Sequence, residues 1–132
     1  MDDYLEAFVR EGEEHVTELN NALLALESNP EDQEAMEQIF RTAHTLKGNF
    51  GAMGFEDASS LAHAVEDLLD AMRQGEIEVT PDRMDHVFAG IDEIEACLAE
   101  IEESGEPQRD VSSFIENLRG VLDASEGDEP DP

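Results

Sequence analysis

The chain is 132 residues long, one domain's worth, and 39% of them are hydrophobic, enough for a modest core. Its 35 Asp and Glu against 7 Lys and Arg give a formal charge of -28, which argues against nucleic acid or an anionic membrane as partner. The acids run along the whole chain, as in a disordered solvating polymer or in a folded domain from a high-salt cytoplasm, and the periodic apolar spacing favours the folded domain.

Four long segments carry apolar residues at alternating spacings of three and four, the period of one helix face. The first, residues 2 to 27, has Leu5, Phe8, Val16, Leu19, Leu23 and Leu26, with Gly12 interrupting the stripe and "SNP" at 28 to 30 ending the helix. The second, from about Asp32 to Met53, has Met36, Ile39, Ala43, Leu46, Phe50 and Met53, and the turn "GFED" follows. The third, about 57 to 74, has Ala58, Leu61, Val65, Leu68 and Met72, with Gly75 as its stop. Thr80 before Pro81 signals a fourth start, and Met84, Val87, Ile91, Ile94, Leu98 and Ile101 follow as far as "SGEP" at 104 to 107.

A shorter fifth segment opens at Asp110 with Val111, Phe114, Ile115, Leu118, Val121 and Leu122, and is expected to pack outside the others. The only strand candidate, "IEV" at 77 to 79, is too short to build a sheet. The expected fold is all-α: an antiparallel up-down four-helix bundle with an additional C-terminal helix, spanning residues 1–124. Residues 125–132, "SEGDEPDP", lack apolar side chains and read as an acidic disordered linker or tail.

The single cysteine, Cys97, excludes an internal disulfide and falls near the fourth stripe, so a buried reduced thiol is expected. No signal-peptide pattern opens the chain and no apolar run approaches the ~20 residues of a membrane span, so a cytoplasmic location is expected.

The second helix carries "FRTAHTLKGNFGAMGF", residues 40 to 55. At 100° per residue its stripe centres about 140° from His44, so this histidine faces solvent. Gly48 and Gly51 lie about 40° and about 20° from it, on the same face, whereas Phe50 and Met53 fall on the core side. Each interior glycine costs on the order of 1 kcal/mol relative to alanine, so two on one exposed face imply a compensating reason. Close approach of another macromolecule to the imidazole supplies one: helical side chains lean towards the N-terminus, and a larger residue at 48 would lean over the turn that bears the ring.

Arg41 and Lys47 flank His44 at about 60° on either side. Such a local cationic patch suits a phosphoryl group, while the plain alternative pairs each base with a surface acid. The third helix supplies "LAHAVED", with His63 and Glu66 one turn apart and Glu66 on a flank that can reach a neighbouring helix. A carboxylate that accepts the proton of one imidazole nitrogen fixes the tautomer and leaves the other nitrogen as a nucleophile; a solvated surface acid is the competing reading. His15 and His86 have no companion glycines or bases and are assigned no role.

A di-iron bundle needs Glu-x-x-His on two helices and two further Glu, whereas His63-x-x-Glu66 runs in the reverse order and occurs once, so no metal site is expected. No serine elbow, glycine-rich phosphate loop or HExxH motif is present, and a complete ATP-using site is not found. A non-catalytic helical protein-interaction bundle explains the stripes but not the glycines beside a base-flanked histidine.

"AHTLKGNFGAMGF" together with "LAHAVEDLLDAMRQGE" resembles the histidine phosphotransfer (HPt) domain of CheA-type chemotaxis kinases, over about residues 1 to 125. The resemblance implies that His44 accepts the γ-phosphoryl of ATP on Nε2 from a separate kinase catalytic domain and passes it to an aspartate of a CheY/CheB-type response regulator. It makes Glu66 the acceptor of the Nδ1 proton, Lys47 the phosphate-neutralising base, His63 a supporting polar residue, and Gly48 and Gly51 the small residues that leave the ring accessible. The segment is then the phospho-accepting part of a histidine protein kinase. It binds no cofactor itself: ATP and Mg²⁺ belong to the partner kinase domain and Mg²⁺ to the response regulator. A free-standing phosphorelay intermediate is the alternative. Asn49 and Phe50 stand where relatives usually carry small residues, and the strong acidity resembles halophilic archaeal proteins.

Overall fold

The computed structural model describes residues 3–127, which form five α-helices. They are α1 (Asp3–Ser28), α2 (Gln33–Ala52), α3 (Glu56–Arg73), α4 (Pro81–Ser104) and α5 (Ser112–Gly127). No strand forms among the described residues; "IEV" at 77 to 79 is irregular, and Ile77 is buried. The fifth helix runs to Gly127, three residues into the segment expected as a tail, and residues 128–132 of that segment lie outside the described residues.

Local signals set the helix starts. The Asp32 carboxylate accepts from the Ala35 N–H at 3.0 Å, and the Thr80 hydroxyl accepts from Arg83 N–H at 3.2 Å ahead of Pro81 in the first turn. Each such cap satisfies an N–H that has no partner within the helix and contributes about 1 kcal/mol. Gly75, at φ +76°, follows the end of α3.

Helices α1 to α4 close a ring in which α1 packs on α2 and α4, and α3 on α2 and α4, while α5 lies across α3 and α4. Contacts between α2 and α3 show the antiparallel sense directly: Ser59 meets Lys47, Glu66 meets His44, and Arg73 meets Glu37. The core is built from Leu19, Leu23 and Leu26 of α1, Ile39, Leu46 and Phe50 of α2, Leu61 and Leu68 of α3, and Ile91, Ile94 and Leu98 of α4. Helix α3 buries Ala62, Ala64, Leu69 and Ala71 beyond its expected stripe because it is covered from three sides, by α2, α4 and α5. Leu5, Phe8 and Met53 are only partly buried, as they stand at the open end of the bundle, where Phe8 meets Phe50 edge-on at 5.6 Å and Phe55 at 5.8 Å.

Gly12 does not interrupt the α1 stripe but belongs to it. It is buried, and a Cβ there would sit 2.7 Å from Leu98 Cδ2, so glycine makes room on α1 for the Leu98 side chain of α4. Cys97 is fully buried, and burial, followed by the nearby Glu93 and Glu100 charges, pushes its thiol up to about 11. Glu93, also buried on α4, pairs with Arg109, and Glu100 accepts the backbone N–H groups of Gln108 and Arg109 at 2.9 and 3.1 Å. These acids pin the α4–α5 loop to the bundle.

Candidate functional site

The outer face of α2 carries His44, whose side chain is 62% exposed, opposite Glu66 on α3, whose side chain is 7% exposed. The register that opposes them is fixed one helix segment away, where the Ser59 hydroxyl donates to the Lys47 carbonyl at 2.9 Å. One Glu66 oxygen bonds His44 Nδ1 and the other takes the Lys47 ammonium at 2.8 Å. A carboxylate withdrawn from water is stable as an ion only when paired and hydrogen-bonded, and here each oxygen has its own partner.

The tautomer follows from this network. An ionised carboxylate only accepts, so His44 Nδ1 carries the proton and donates it to Glu66. In the neutral ring the lone pair then lies on Nε2, at the opposite, solvent-facing edge.

The structure brings three of the expected residues, His44, Lys47 and Glu66, into direct contact. The Lys47 ammonium turns to the buried Glu66 carboxylate, the least solvated negative charge within reach. Arg41, the other flanking base, is exposed, and its side chain pairs with no described residue. Gly48 is exposed with no atom within 4 Å of the Cβ it lacks, so the space beside the ring is open. Gly51 is also exposed, but a Cβ there would meet Ser59 Oγ at 3.4 Å, an ordinary contact with α3.

His63 does not touch His44. Its Nε2 lies 3.4 Å from Asp67, whose carboxylate also pairs with Arg119 of α5. His63, Glu66 and Asp67 place one ligand atom each within 4.8 Å of one another, yet Glu66 already holds His44 and Lys47, and Asp67 holds Arg119. An added cation would have to displace these. His15 stands on α1 with Nδ1 3.9 Å from Glu18, and His86 stands on α4; neither joins the site.

Two residues of this face had no part in the sequence argument. Phe40 stacks on His44 with ring centroids 6.4 Å apart and planes 27° from parallel, and the Arg73 guanidinium lies 4.1 Å from the Phe40 centroid. Arg73 in turn bonds Glu37 at 3.1 Å and Asp70 at 2.7 Å, and its hydrogen bond holds the Asp70 carboxyl below the usual carboxylate range. The available signal was an aromatic residue one helical turn before the histidine, on the side towards which helical side chains lean.

An exposed imidazole held at Nδ1, open at Nε2 and backed by a buried carboxylate is suited to accept and release an electrophilic group. Residues 3–126 match the Hpt domain family. The chain belongs to that family.

This Hpt domain is 74% identical over 128 residues to the chemotaxis protein CheA of Halobacterium salinarum, covering 97% of the chain and 19% of that protein. It is 42% identical over 118 residues to CheA of Bacillus subtilis, covering 89% of the chain and 18% of the relative. The chain thus spans about a fifth of the length of these relatives.

Among solved structures, a solution structure of the histidine phosphotransfer domain of CheA superimposes with a TM-score of 0.83 at 39% identity, covering 92% of both chains. The CheA phosphotransferase domain of Thermotoga maritima gives 0.73 at 45% identity, covering 75% of this chain and 94% of that one. The phosphorylated P1 domain of CheA3 in complex with CheY6 from R. sphaeroides shares the fold at a TM-score of 0.86 and 24% identity, covering 95% and 99%. The acidic composition is consistent with a Halobacterium relative, and no described helix is long and apolar enough to cross a membrane.

Proposed function

We propose that this Hpt domain is the phosphotransfer domain of a CheA-type chemotaxis kinase, with His44 as the residue that carries the phosphoryl group. The observation that carries the reading is the bond from His44 Nδ1 to buried Glu66, which leaves Nε2 as the nucleophile at the surface. The 74% identity to a CheA protein supports the kinase setting over a free-standing relay.

In the forward step the Nε2 lone pair attacks the γ-phosphorus of ATP. The N–P bond forms as the bond to the bridging oxygen breaks, and that electron pair leaves with ADP. The ring, still protonated at Nδ1, acquires positive charge that Glu66 faces directly. In the second step an aspartate oxygen of a CheY/CheB-type response regulator attacks the phosphorus, and the N–P electron pair returns to Nε2. Lys47 neutralises Glu66 between steps, His63 supports the same side of α3 through Asp67, and Gly48 and Gly51 keep the approach uncluttered. The capture of a related P1 domain with CheY6 supports a response regulator as receiver.

Positioning and charge neutralisation dominate phosphoryl transfer, and the phosphate-binding parts belong to the partners. ATP and its Mg²⁺ therefore belong with the separate catalytic domain, and a second Mg²⁺ with the regulator's acidic pocket. The test is labelling from γ-labelled ATP by a CheA-type catalytic domain. His44→Gln should abolish an acid-labile, alkali-stable label while leaving helicity unchanged; stoichiometric labelling of that variant would overturn the assignment.

A further inference from the structure

We infer that Phe40 is a positioning residue for the His44 imidazole and that Arg73 acts through it, an inference that rests on reading His44 as the phosphoryl carrier. The hydrogen bond to Glu66 fixes one ring atom of a largely exposed side chain. Water competes for that bond at so exposed a side chain, and whenever it opens the ring turns about Cβ–Cγ, so that the Nε2 lone pair, which lies in the ring plane, loses its direction and the proton is no longer reserved to Nδ1. A second constraint on the plane is needed for a defined line of attack.

Phe40 supplies that constraint. Its ring is stacked on the imidazole at a centroid distance of 6.4 Å and a tilt of 27°, within the range in which aromatic pairs attract. The core does not account for this side chain: Phe40 is half-buried and, unlike Phe8, Phe55, Phe88 and Phe114, is not packed against the buried cluster. Its ring meets His44 and Arg73.

Arg73 fixes Phe40 from α3. Its guanidinium lies 4.1 Å from the ring centroid, a cation–π contact, and is held there by Glu37 of α2 and Asp70 of α3. Glu66 and Arg73, two turns apart on α3, thus constrain the imidazole in two different ways: one at a ring nitrogen, the other through a stacked ring. With both in place the nucleophilic edge points in a set direction although the side chain stands in solvent.

The test uses the 132-residue chain with Phe40→Leu, Phe40→Tyr, Arg73→Gln and the Phe40→Leu/Arg73→Gln double variant. Phosphorylation by a CheA-type catalytic domain is resolved into kcat and KM, and ¹⁵N NMR of the His44 ring reports its tautomer ratio. Misplacement of a reacting atom by an ångström costs up to about a hundredfold, so partial release of the ring in Phe40→Leu should lower kcat about tenfold, with KM within about twofold. The Nδ1-protonated tautomer should lose its dominance in the same variant. Phe40→Tyr keeps the ring and should retain kcat within about twofold, and Arg73→Gln should give a smaller loss than Phe40→Leu. The double variant should be no slower than Phe40→Leu alone, because Arg73 works through Phe40.

Unchanged kcat and an unchanged ¹⁵N pattern in Phe40→Leu would overturn the inference, as would multiplicative losses in the double variant. A purely structural role would lower thermal stability without moving either readout. If Phe40→Leu fails to fold, Arg73→Gln carries the same test, and unchanged kcat and tautomer ratio there overturn the inference. Labelling of His44→Gln would instead remove the phosphoryl-carrier reading, while the tautomer ratio still reports whether Phe40 orders the ring.

Discussion

Glu66 and His44 meet across the α2–α3 interface from opposite environments, the carboxylate buried and the imidazole exposed. The rigid interior thereby holds an imidazole that stands in solvent. Glu66→Gln keeps the shape, removes the charge that faces the ring and leaves the Lys47 ammonium without its counter-ion. Its phosphorylation rate is expected to fall by about tenfold or more with helicity retained, by analogy with the loss seen when the partner that orients a metal-ligating histidine is removed. Initial rates of labelling and a far-UV spectrum check this, and unchanged kinetics would make Glu66 a structural acid only.

Packing does not require glycine at 48. With open space at the position of its missing Cβ, Gly48→Ala should raise stability by about 0.5–1 kcal/mol through helix propensity alone. Gly48→Leu should slow transfer to the response regulator much more than it changes the unfolding midpoint. Gly12→Ala is the control: its Cβ would overlap Leu98 in the core, and the variant is expected to melt below the wild type. Denaturant unfolding and transfer rates on the same samples separate the two effects.

The buried thiol sets an alkaline limit. Cys97 is held at about 11 in the fold against an ordinary 9.0, so the unfolded chain gives up its proton first as pH rises. The corresponding stability is fully present below about pH 9 and is lost as pH climbs through 11. Thiol reagents at pH 8 should leave folded Cys97 unmodified and label it once denaturant unfolds the chain. Rapid labelling under native conditions would contradict its full burial.

Charge repulsion should make stability salt-dependent. At a formal charge of -28 the folded surface repels itself, and raising salt shortens the screening length from about 10 Å at 0.1 M to about 3 Å at 1 M. The melting temperature is expected to rise steadily with KCl over that range. A flat dependence would mean that local ion pairs such as Asp67–Arg119 and Asp70–Arg73 already absorb the repulsion.

Helix faces were legible in the sequence wherever one stripe met one core. All six expected residues of the fourth stripe, from Met84 to Ile101, are buried, and His44 stands on the solvent side of α2 as its spacing requires. Features that depend on a partner element were not legible. Gly12 looked like a break because nothing in α1 announces Leu98 on α4. The Lys47–Glu66 pair was not legible because the carboxylate that takes the ammonium is buried on α3. Phe40 falls between the stripe and the histidine and belongs to neither pattern, and Glu93, buried and paired with exposed Arg109, is of a residue type that composition alone assigns to solvent. The end of α5 was placed too early because its last residues carry no apolar side chain to mark a face.

The central claim is that the Glu66 bond reserves Nδ1 of His44 and leaves Nε2 to carry the phosphoryl group. NMR of the phosphorylated, ¹⁵N-histidine-labelled chain tests it most directly through the coupling between phosphorus and ring nitrogen. The expected result is coupling to Nε2 of His44, with Nδ1 still protonated. Phosphorus on Nδ1, or on His15, His63 or His86, would contradict the account.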